Sequence, residues 1–343
     1  MNRNLRMADL IQTVNQQERQ KKDHLIESSS LSATTKDGVT YLNVPGRFSE
    51  SYALNDTARS QLASRLEIPY RYAEKLRIEE PRLLDQNLNT LFRRSNEKRL
   101  VRTMGDSCRA ILSPNYRILD NYAFLGALLP LLAQLPDAKL NEAFLTETHL
   151  HVSLVFQSAQ GYVKPGDPVR YGVMLANSEV GMGSLAAWAF IHRLVCSNGL
   201  VVTESDGPTV RRIHLGKRIE DLAKLPSDRD VWLEYGDVVR DTADSRRLPS
   251  ILHRLQIAAQ SPVMEAPEEA VEEITKRFQL TREEGERVLR QYVAGQDLST
   301  WGLVNAVTEA AKEADTIQRR VELQTFGGRL LPESRLPMLP AAA

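Results

Sequence analysis

Cysteine is scarce in this sequence: Cys108 and Cys196 are the only two in 343 residues, and they lie far apart in no metal-ligand spacing. They are expected to be free thiols in a reducing cytoplasm. Net charge is also missing, because 44 Lys and Arg balance 44 Asp and Glu. No global charge therefore points to nucleic acid or to a membrane surface. Long apolar runs are absent too. The longest, residues 123–135, contains Pro130 and falls well short of a membrane span. The opening stretch MNRNLRMADLIQTVNQQERQKK has no apolar core flanked by a cleavage site, so no signal peptide is expected. There is no P-loop, no GxSxG and no paired-carboxylate metal motif. Gly181-Met182-Gly183 is not a dinucleotide fingerprint, because no helix start with a third glycine follows it. It reads as a bend between strands. No catalytic residue and no cofactor is expected.

What is present suits one large domain or two modest ones, with hydrophobic content high enough for a core. Charge is unevenly spread. Residues 59–117 hold 13 Lys/Arg against 7 Asp/Glu, whereas residues 265–286 hold 8 acids against 3 bases. A basic first third and an acidic helical region cancel in the total while each acts locally.

Residues 1–50 read as a polar, partly disordered segment with turn material at Lys36-Asp37-Gly38 and one short strand at 40–44. Residues 51–220 read as an α+β core. Asn55 or Asp56 caps a helix with Ala58, Leu62, Ala63 and Leu66 on one face; Pro69 and Pro81 separate it from two more. Two short strands, 100–104 and 109–112, flank Gly105-Asp106-Ser107. Asp120 or Asn121 caps an apolar helix over 122–135. A central antiparallel sheet follows, with strands at 149–157, 170–176, 185–195, 200–203 and 210–215. Leu150, Val152, Leu154 and Phe156 share one face of its first strand. Asn198-Gly199 signals a hairpin turn. Residues 221–330 read as helical. Thr281-Arg-Glu-Glu284 is a capping box for a helix closed by Gly295. Leu303, Val307, Ala310, Ala314, Ile317 and Val321 form a stripe on a helix stopped at Gly327-Gly328. Residues 331–343 read as a disordered tail.

Four stretches carry a resemblance: LNDTARSQLASRLEIPYRYAEKL, CRAILSPNYRILDN, NSEVGMGSLAAWAFIHRLVCSNGL and TWGLVNAVTEAAKEAD. In this order the chain resembles the phage/plasmid-like proteins grouped as domain of unknown function 932. That resemblance implies a gene of a phage, prophage or plasmid, a bacterial cytoplasm and a DNA-handling neighbourhood. It supplies no catalytic residues. A helix, three consecutive strands, a turn and a further helix are also similar to the core of the Rad52-type annealing proteins. That likeness implies oligomeric rings that hold single-stranded DNA in a basic groove.

Gripping a nucleic-acid backbone without reading bases needs cations along a groove and aromatic faces for stacking. The run LFRRSNEKRLVRT supplies Arg93, Arg94, Lys98, Arg99 and Arg102, followed by Arg109 and Arg117, with Tyr116 and Tyr122 as neighbouring aromatics. Lys164, Arg170, Arg193, Arg211 and Arg212 sit in or beside the sheet, which is expected to floor the groove. A solvated basic surface laced with ion pairs is the plainer alternative. Residues 57–76 also read as a helix-turn-helix, with Tyr70, Arg71, Tyr72 and Lys75 on the second helix. His149, His151, His192 and His214, with Glu179 in a turn, form a metal candidate weighed against an ordinary polar strand face. Cys196 and His192 are too far apart along a strand for a nucleophile–base pair.

The expectation is thus a non-enzymatic mobile-element protein that binds single-stranded DNA as a homo-oligomer, in recombination or replication, without a membrane. The alternatives are a metal-dependent enzyme using His149, His151 and His192, and an interaction protein that modulates a host factor without touching DNA.

Overall fold

The computed structural model describes residues 4–46, 50–135, 137–202, 227–263 and 266–332. The strand expected at 210–215, with Arg211, Arg212 and His214, lies outside the described residues, as does the tail from 333. The protein is α+β, as its sequence leads one to expect, but it has two sheets where one was expected.

The first sheet grows from residues that read as polar. Helix α1 (Met7–Glu18) leads into β1 (Lys21–Glu27), β2 (Ser32–Lys36), β3 (Val39–Val44) and β4 (Glu50–Leu54). Only alternate residues turn inward: Ala33 and Thr35 in β2, and Thr40, Leu42 and Val44 in β3. With so few apolar positions per strand, a period of two is hard to hear in the sequence. Asp37 and Gly38 turn the β2–β3 hairpin with φ of 51° and 73°, the left-handed pair that a two-residue hairpin requires. Helices α2 (Asp56–Arg65), α3 (Tyr70–Glu79) and α4 (Pro81–Arg94) cover this inner face, burying Leu62, Leu76, Leu84, Leu88 and Phe92 on it. The Asn55 carboxamide caps α2 by accepting from the Ala58 amide at 2.9 Å. Strands β5 (Lys98–Met104) and β6 (Ser107–Leu112) complete the sheet in the order β1-β5-β6-β4-β3-β2, antiparallel except where β4 meets β6.

The second sheet is a five-stranded antiparallel meander: β7 (Ala138–Leu145), β8 (Leu150–Tyr162), β9 (Pro168–Asn177), β10 (Ala186–Arg193) and β11 (Asn198–Val202). Asn198 and Gly199 do signal its last hairpin, but they lie in the strand. Residues 194–197 make the turn, and Ser197 takes the positive φ of 55°. One face of the meander packs Leu150, Val152, Leu154, Tyr171, Val173 and Ile191 under α1, α5 (Asn121–Ala133), α6 (Asp228–Thr242) and α7 (Leu248–Gln260). The Tyr235 hydroxyl ties α6 to this sheet by donating to the Ala186 carbonyl at 3.1 Å. The opposite face carries Val155, Met174, Phe190 and Val201 and meets α11 (Ile317–Arg329). Helices α8 (Pro267–Phe278), α9 (Arg282–Gly295) and α10 (Thr300–Ala310) join α11 around a core of their own.

The expected C-terminal helix is two helices. Leu303, Val307 and Ala310 are buried from α10, a 3-10 turn at Ala311–Glu313 breaks the run, and Thr316 caps α11. Gly327 and Gly328 do not stop α11; they lie inside it, because β11 comes too close for a side chain. A Cβ on Gly328 would stand 2.0 Å from the Val201 carbonyl oxygen. Gly328→Ala is therefore expected to lower stability by about 2 kcal/mol or more, as overpacking does, despite a helix-propensity gain of roughly 1 kcal/mol. Gly126→Ala, on the exposed side of α5 with nothing within 4 Å of the added methyl, should raise stability by up to roughly 1 kcal/mol. Denaturant midpoints falling on opposite sides of the wild type check the pair.

Candidate functional site

The two sheets meet over a set of buried charges, and a bulge in β6 builds it. Thr103 pairs with Cys108 and Arg102 with Ala110, so Arg109 is the extra residue between them. Cys108 and Ile111 keep to the helix-covered face, while Ala110 and Leu112 face the junction with Tyr116 and Val180. Arg109 is 6% exposed. Its Nη1 donates to Glu179 Oε2 at 2.6 Å.

Glu179, in the loop after β9, is the hub. Its Oε1 accepts from Lys21 Nζ at 2.5 Å and from the Asn121 amide, at the first turn of α5, at 2.7 Å. An anion at a helix N-terminus meets orphan amides and the positive end of the helix dipole. Arg102, with no exposed side-chain surface, donates from Nη1 to the Glu179 carbonyl at 2.7 Å. Its Nε and Nη2 clasp Asp23 at 2.8 and 3.0 Å, and Nη2 also reaches both oxygens of Asp120. Asp120 thus faces the arginine instead of capping α5 with its side chain. Burial alone would push the Glu179 carboxyl up, but Arg109, Lys21 and the Asn121 amide outweigh it and hold the pKa at about 2. Burial raises the Asp120 carboxyl against the pull of Arg102, and the charge on Glu179 adds to the rise.

Beside this network lies a cavity of about 550 Å³, lined by Arg109, Glu179 and Asn121, by α1, by the β7–β8 turn and by the start of α11. His149 lines it as well. Its Nε2 lies 3.1 Å from the Met182 carbonyl and its Nδ1 2.9 Å from the Thr148 hydroxyl, an arrangement that suits a neutral ring with the proton on Nε2. Burial lowers its pKa. His151 stacks on it at 5.5 Å, and burial followed by the neighbouring His149 brings its pKa down to about 3. Stacking replaces the convergence a metal needs, and β9 separates both rings from His192 on β10. Among the described residues no group of three or more His, Cys, Asp or Glu side chains could hold a metal ion.

The cations expected to line one groove are dispersed. Arg99, Arg102 and Arg109 are buried, with Arg99 paired to Glu97, and none of the three belongs to an open surface. Arg117 pairs with Asp228 at 2.8 Å and Lys164 with Asp297 at 2.6 Å. Arg193 clasps Asp167 at 2.6 and 2.9 Å, and Asp167 also accepts from the Trp301 indole at 2.8 Å. Arg170 is half-buried, and its Nε is buried without a partner. The sheet expected to floor the groove has helices over both faces. Arg93, Arg94 and Lys98 remain exposed and make no ion pair with described residues. Of the network, Lys21, Asp23 and Asp120 carried no site expectation. Their signal is faint: single charges embedded in short strands or placed just ahead of an apolar helix.

Cys108 is buried in the first core, and that burial pushes its thiol up to about 12. Cys196 lies in the β10–β11 turn, where its Sγ accepts from Arg193 Nη1 at 3.2 Å. No helix among the described residues is long and apolar enough to cross a membrane.

Two antiparallel-rich sheets, wrapped by helices and joined through a buried ionic hub, define the class of protein by architecture. The chain belongs to the family described as a domain of unknown function (DUF932), which matches residues 131–325, more than half of its length. Comparison with curated proteins and with solved structures returns no match. The expected likeness to Rad52-type annealing proteins finds no support: no solved structure matches, and five strands rather than three follow α5.

Glu179 contributes stability that is complete above the ordinary glutamate value of 4.5 and is lost as the pH falls toward its folded value of about 2. Glu179→Gln is expected to cost about 3–5 kcal/mol near neutral pH, the range for breaking a buried pair. The variant should also lose less stability than the wild type over that acid interval. Denaturant unfolding across pH reads both effects.

Proposed function

We propose that the protein is a non-catalytic nucleic-acid-binding protein, with single-stranded DNA as its ligand, serving recombination or replication of a mobile element as a homo-oligomer. The observation that carries this reading is the outer surface of the helices on the first sheet. There α3 presents Tyr70 at 37% and Tyr72 at 47% exposure, with Arg71 exposed between them and Lys75 one turn on. Exposed tyrosines beside exposed cations are what sequence-tolerant stacking and phosphate contact require. Arg71 has no carboxylate partner among the described residues, and Lys75 reaches only Glu79 at 3.6 Å. Arg93 and Arg94 end α4, which packs against α3, and Lys98 opens the next strand.

The contact surface in this reading is therefore the helical layer, and the meander is the scaffold behind it. The geometry gives the metal-enzyme alternative no comparable support, because its three histidines do not converge.

Fluorescence anisotropy with single- and double-stranded oligonucleotides over a salt series tests the proposal. Replacing Arg93, Arg94 and Lys98 together by Gln is expected to weaken single-strand binding and to reduce the slope of log K against log salt by about 2, at ~0.7 for each phosphate contact. Arg193→Gln should lower stability and leave that slope unchanged. Absence of binding by the wild type at low salt would leave the interaction-protein alternative standing in its place.

A further inference from the structure

An open sheet edge presents a row of backbone N–H and C=O groups ready to pair with another strand, and folded proteins close such edges with covering side chains, bulges or short strands. Three of the four sheet edges here are closed in one of these ways. On β2, the Asn89 carboxamide of α4 accepts from the Ala33 amide at 2.8 Å and donates to the Ala33 carbonyl at 2.9 Å, and Asp85 accepts from the Thr35 amide at 3.0 Å. Strand β7 is bulged beside Asn141, and both backbone groups of its Ala143 are taken, by Leu5 and Asn4. Strand β11 is five residues long and lies against α11.

The edge at β1 is different. This strand runs for seven residues without proline or bulge and pairs with β5 in one unbroken register. The Gly105 amide donates to Gln20 and the Ser28 amide to Glu97, so the even-numbered residues of β1 face β5. The backbone groups of Lys21, Asp23, Leu25 and Glu27 therefore point away from the sheet, and none has a hydrogen-bond partner among the described residues. The charges of the strand do not guard this edge. Lys21 and Asp23 turn into the junction, held by Glu179 and Arg102, and Lys22 pairs with Glu50. Its second half is bare: Leu25 is 59% exposed, and Glu27 is exposed with no ion pair among the described residues.

We infer that β1 is the interface of a homodimer, in which the β1 strands of two copies pair antiparallel about a two-fold axis through His24. Pairing through the outward groups sets odd residues opposite odd ones. Centred on His24, it opposes Lys21 to the partner's Glu27 and Asp23 to the partner's Leu25, a self-complementary arrangement of the kind a two-fold axis demands. Glu27 then gains the opposite charge it lacks in its own chain, from the partner's Lys21 and from the partner's Arg19 in the turn before it. The two Leu25 side chains lie diagonally across the axis, within reach of each other. The neighbouring registers would oppose Asp23 to the partner's Asp23 or to the partner's Glu27, and like charges directly opposite are destabilising. The pairing joins two six-stranded sheets into one. It rests on the homo-oligomer part of the proposed function and supplies its interface, without using the exposed tyrosines of α3.

Sedimentation of the full chain over a concentration series tests the inference, with denaturant unfolding as the check on fold. The wild type is expected to sediment as a dimer that dissociates on dilution. Leu25→Pro removes an outward N–H and no bond to β5, so the ladder within the chain survives. It should raise the dissociation constant about thirtyfold or more, because the symmetry removes the bond twice. Should that variant fold poorly, Leu25→Glu changes only an exposed side chain, sets like charge beside the partner's Asp23, and should weaken the dimer about tenfold. His24→Cys puts two thiols at the axis, in a pair whose Cα atoms stand about 4.5 Å apart, close enough for a disulfide. Mild oxidation should cross-link that variant into a covalent dimer and leave the wild type, with its Cys108 and Cys196, uncross-linked. A wild type that stays monomeric overturns the inference together with the homo-oligomer part of the proposed function. A dimer that survives both Leu25 variants, or that His24→Cys does not cross-link, overturns this interface alone.

Discussion

The buried carboxylate of Glu179 is the constraint on which the rest of this structure depends. It takes one bond each from β1, from β6 and from the start of α5, while its own backbone carbonyl takes a fourth from β5. A carboxylate removed from water loses several kcal/mol of hydration, so it is tolerable only when its partners are in place. Here they come from both sides of the junction. The loop after β9 cannot keep its position unless β1, β5 and β6 are aligned, and the bulge that aims Arg109 is useful only if that loop is present. Well-packed apolar residues could give similar stability, but they would not specify one relative placement of the sheets so sharply.

How much of this was legible in the sequence depends on how each element earns its stability. Strands β8 to β11 and the capping box at Thr281 were readable because apolar alternation and local hydrogen bonding decide them, whereas β7 carried no expectation. The first sheet was legible in part: β3, β5 and β6 were expected, while β1, β2 and β4 were not. Strands β2 and β3 bury only two and three residues, so composition suggests a polar segment with one strand while long-range pairing makes a sheet. Gly327-Gly328 misled for a related reason: as a pair they resemble a helix stop, and only the approach of β11 explains them as packing residues. The split into α10 and α11 was hidden by an apolar spacing that continues across the break.

The cations taught a more specific lesson. A run of arginines reads as a solvated face, yet Arg102 stands two residues from Leu100 with Val101 and Thr103 on either side, and Arg109 opens Arg-Ala-Ile-Leu. A charge set in a short strand of apolar residues points into a core or a junction on every second position, and must find a carboxylate there. Arg93, Arg94 and Lys98, in the last turn of a helix and at a strand start, lack that context and stay exposed. Burial of the sheet on both faces then removes the surface that an open groove would need. In the proposed reading, nucleic-acid contact falls instead to the helical exterior.

The family match begins at residue 131, so Glu179, His149 and Gln318 fall inside it and Lys21, Arg102 and Arg109 outside it. The hub and its cavity are thus assembled across that boundary: the matched region supplies the carboxylate and the helix N-terminus, and the residues before it supply the guanidinium. Within the hub, carboxylates are not in short supply. Arg102 alone is served by Asp23 and Asp120. Arg109 spends only Nη1, on Glu179, and keeps Nε and Nη2 buried without a partner among the described residues, a cost that Arg102 avoids by its two carboxylates.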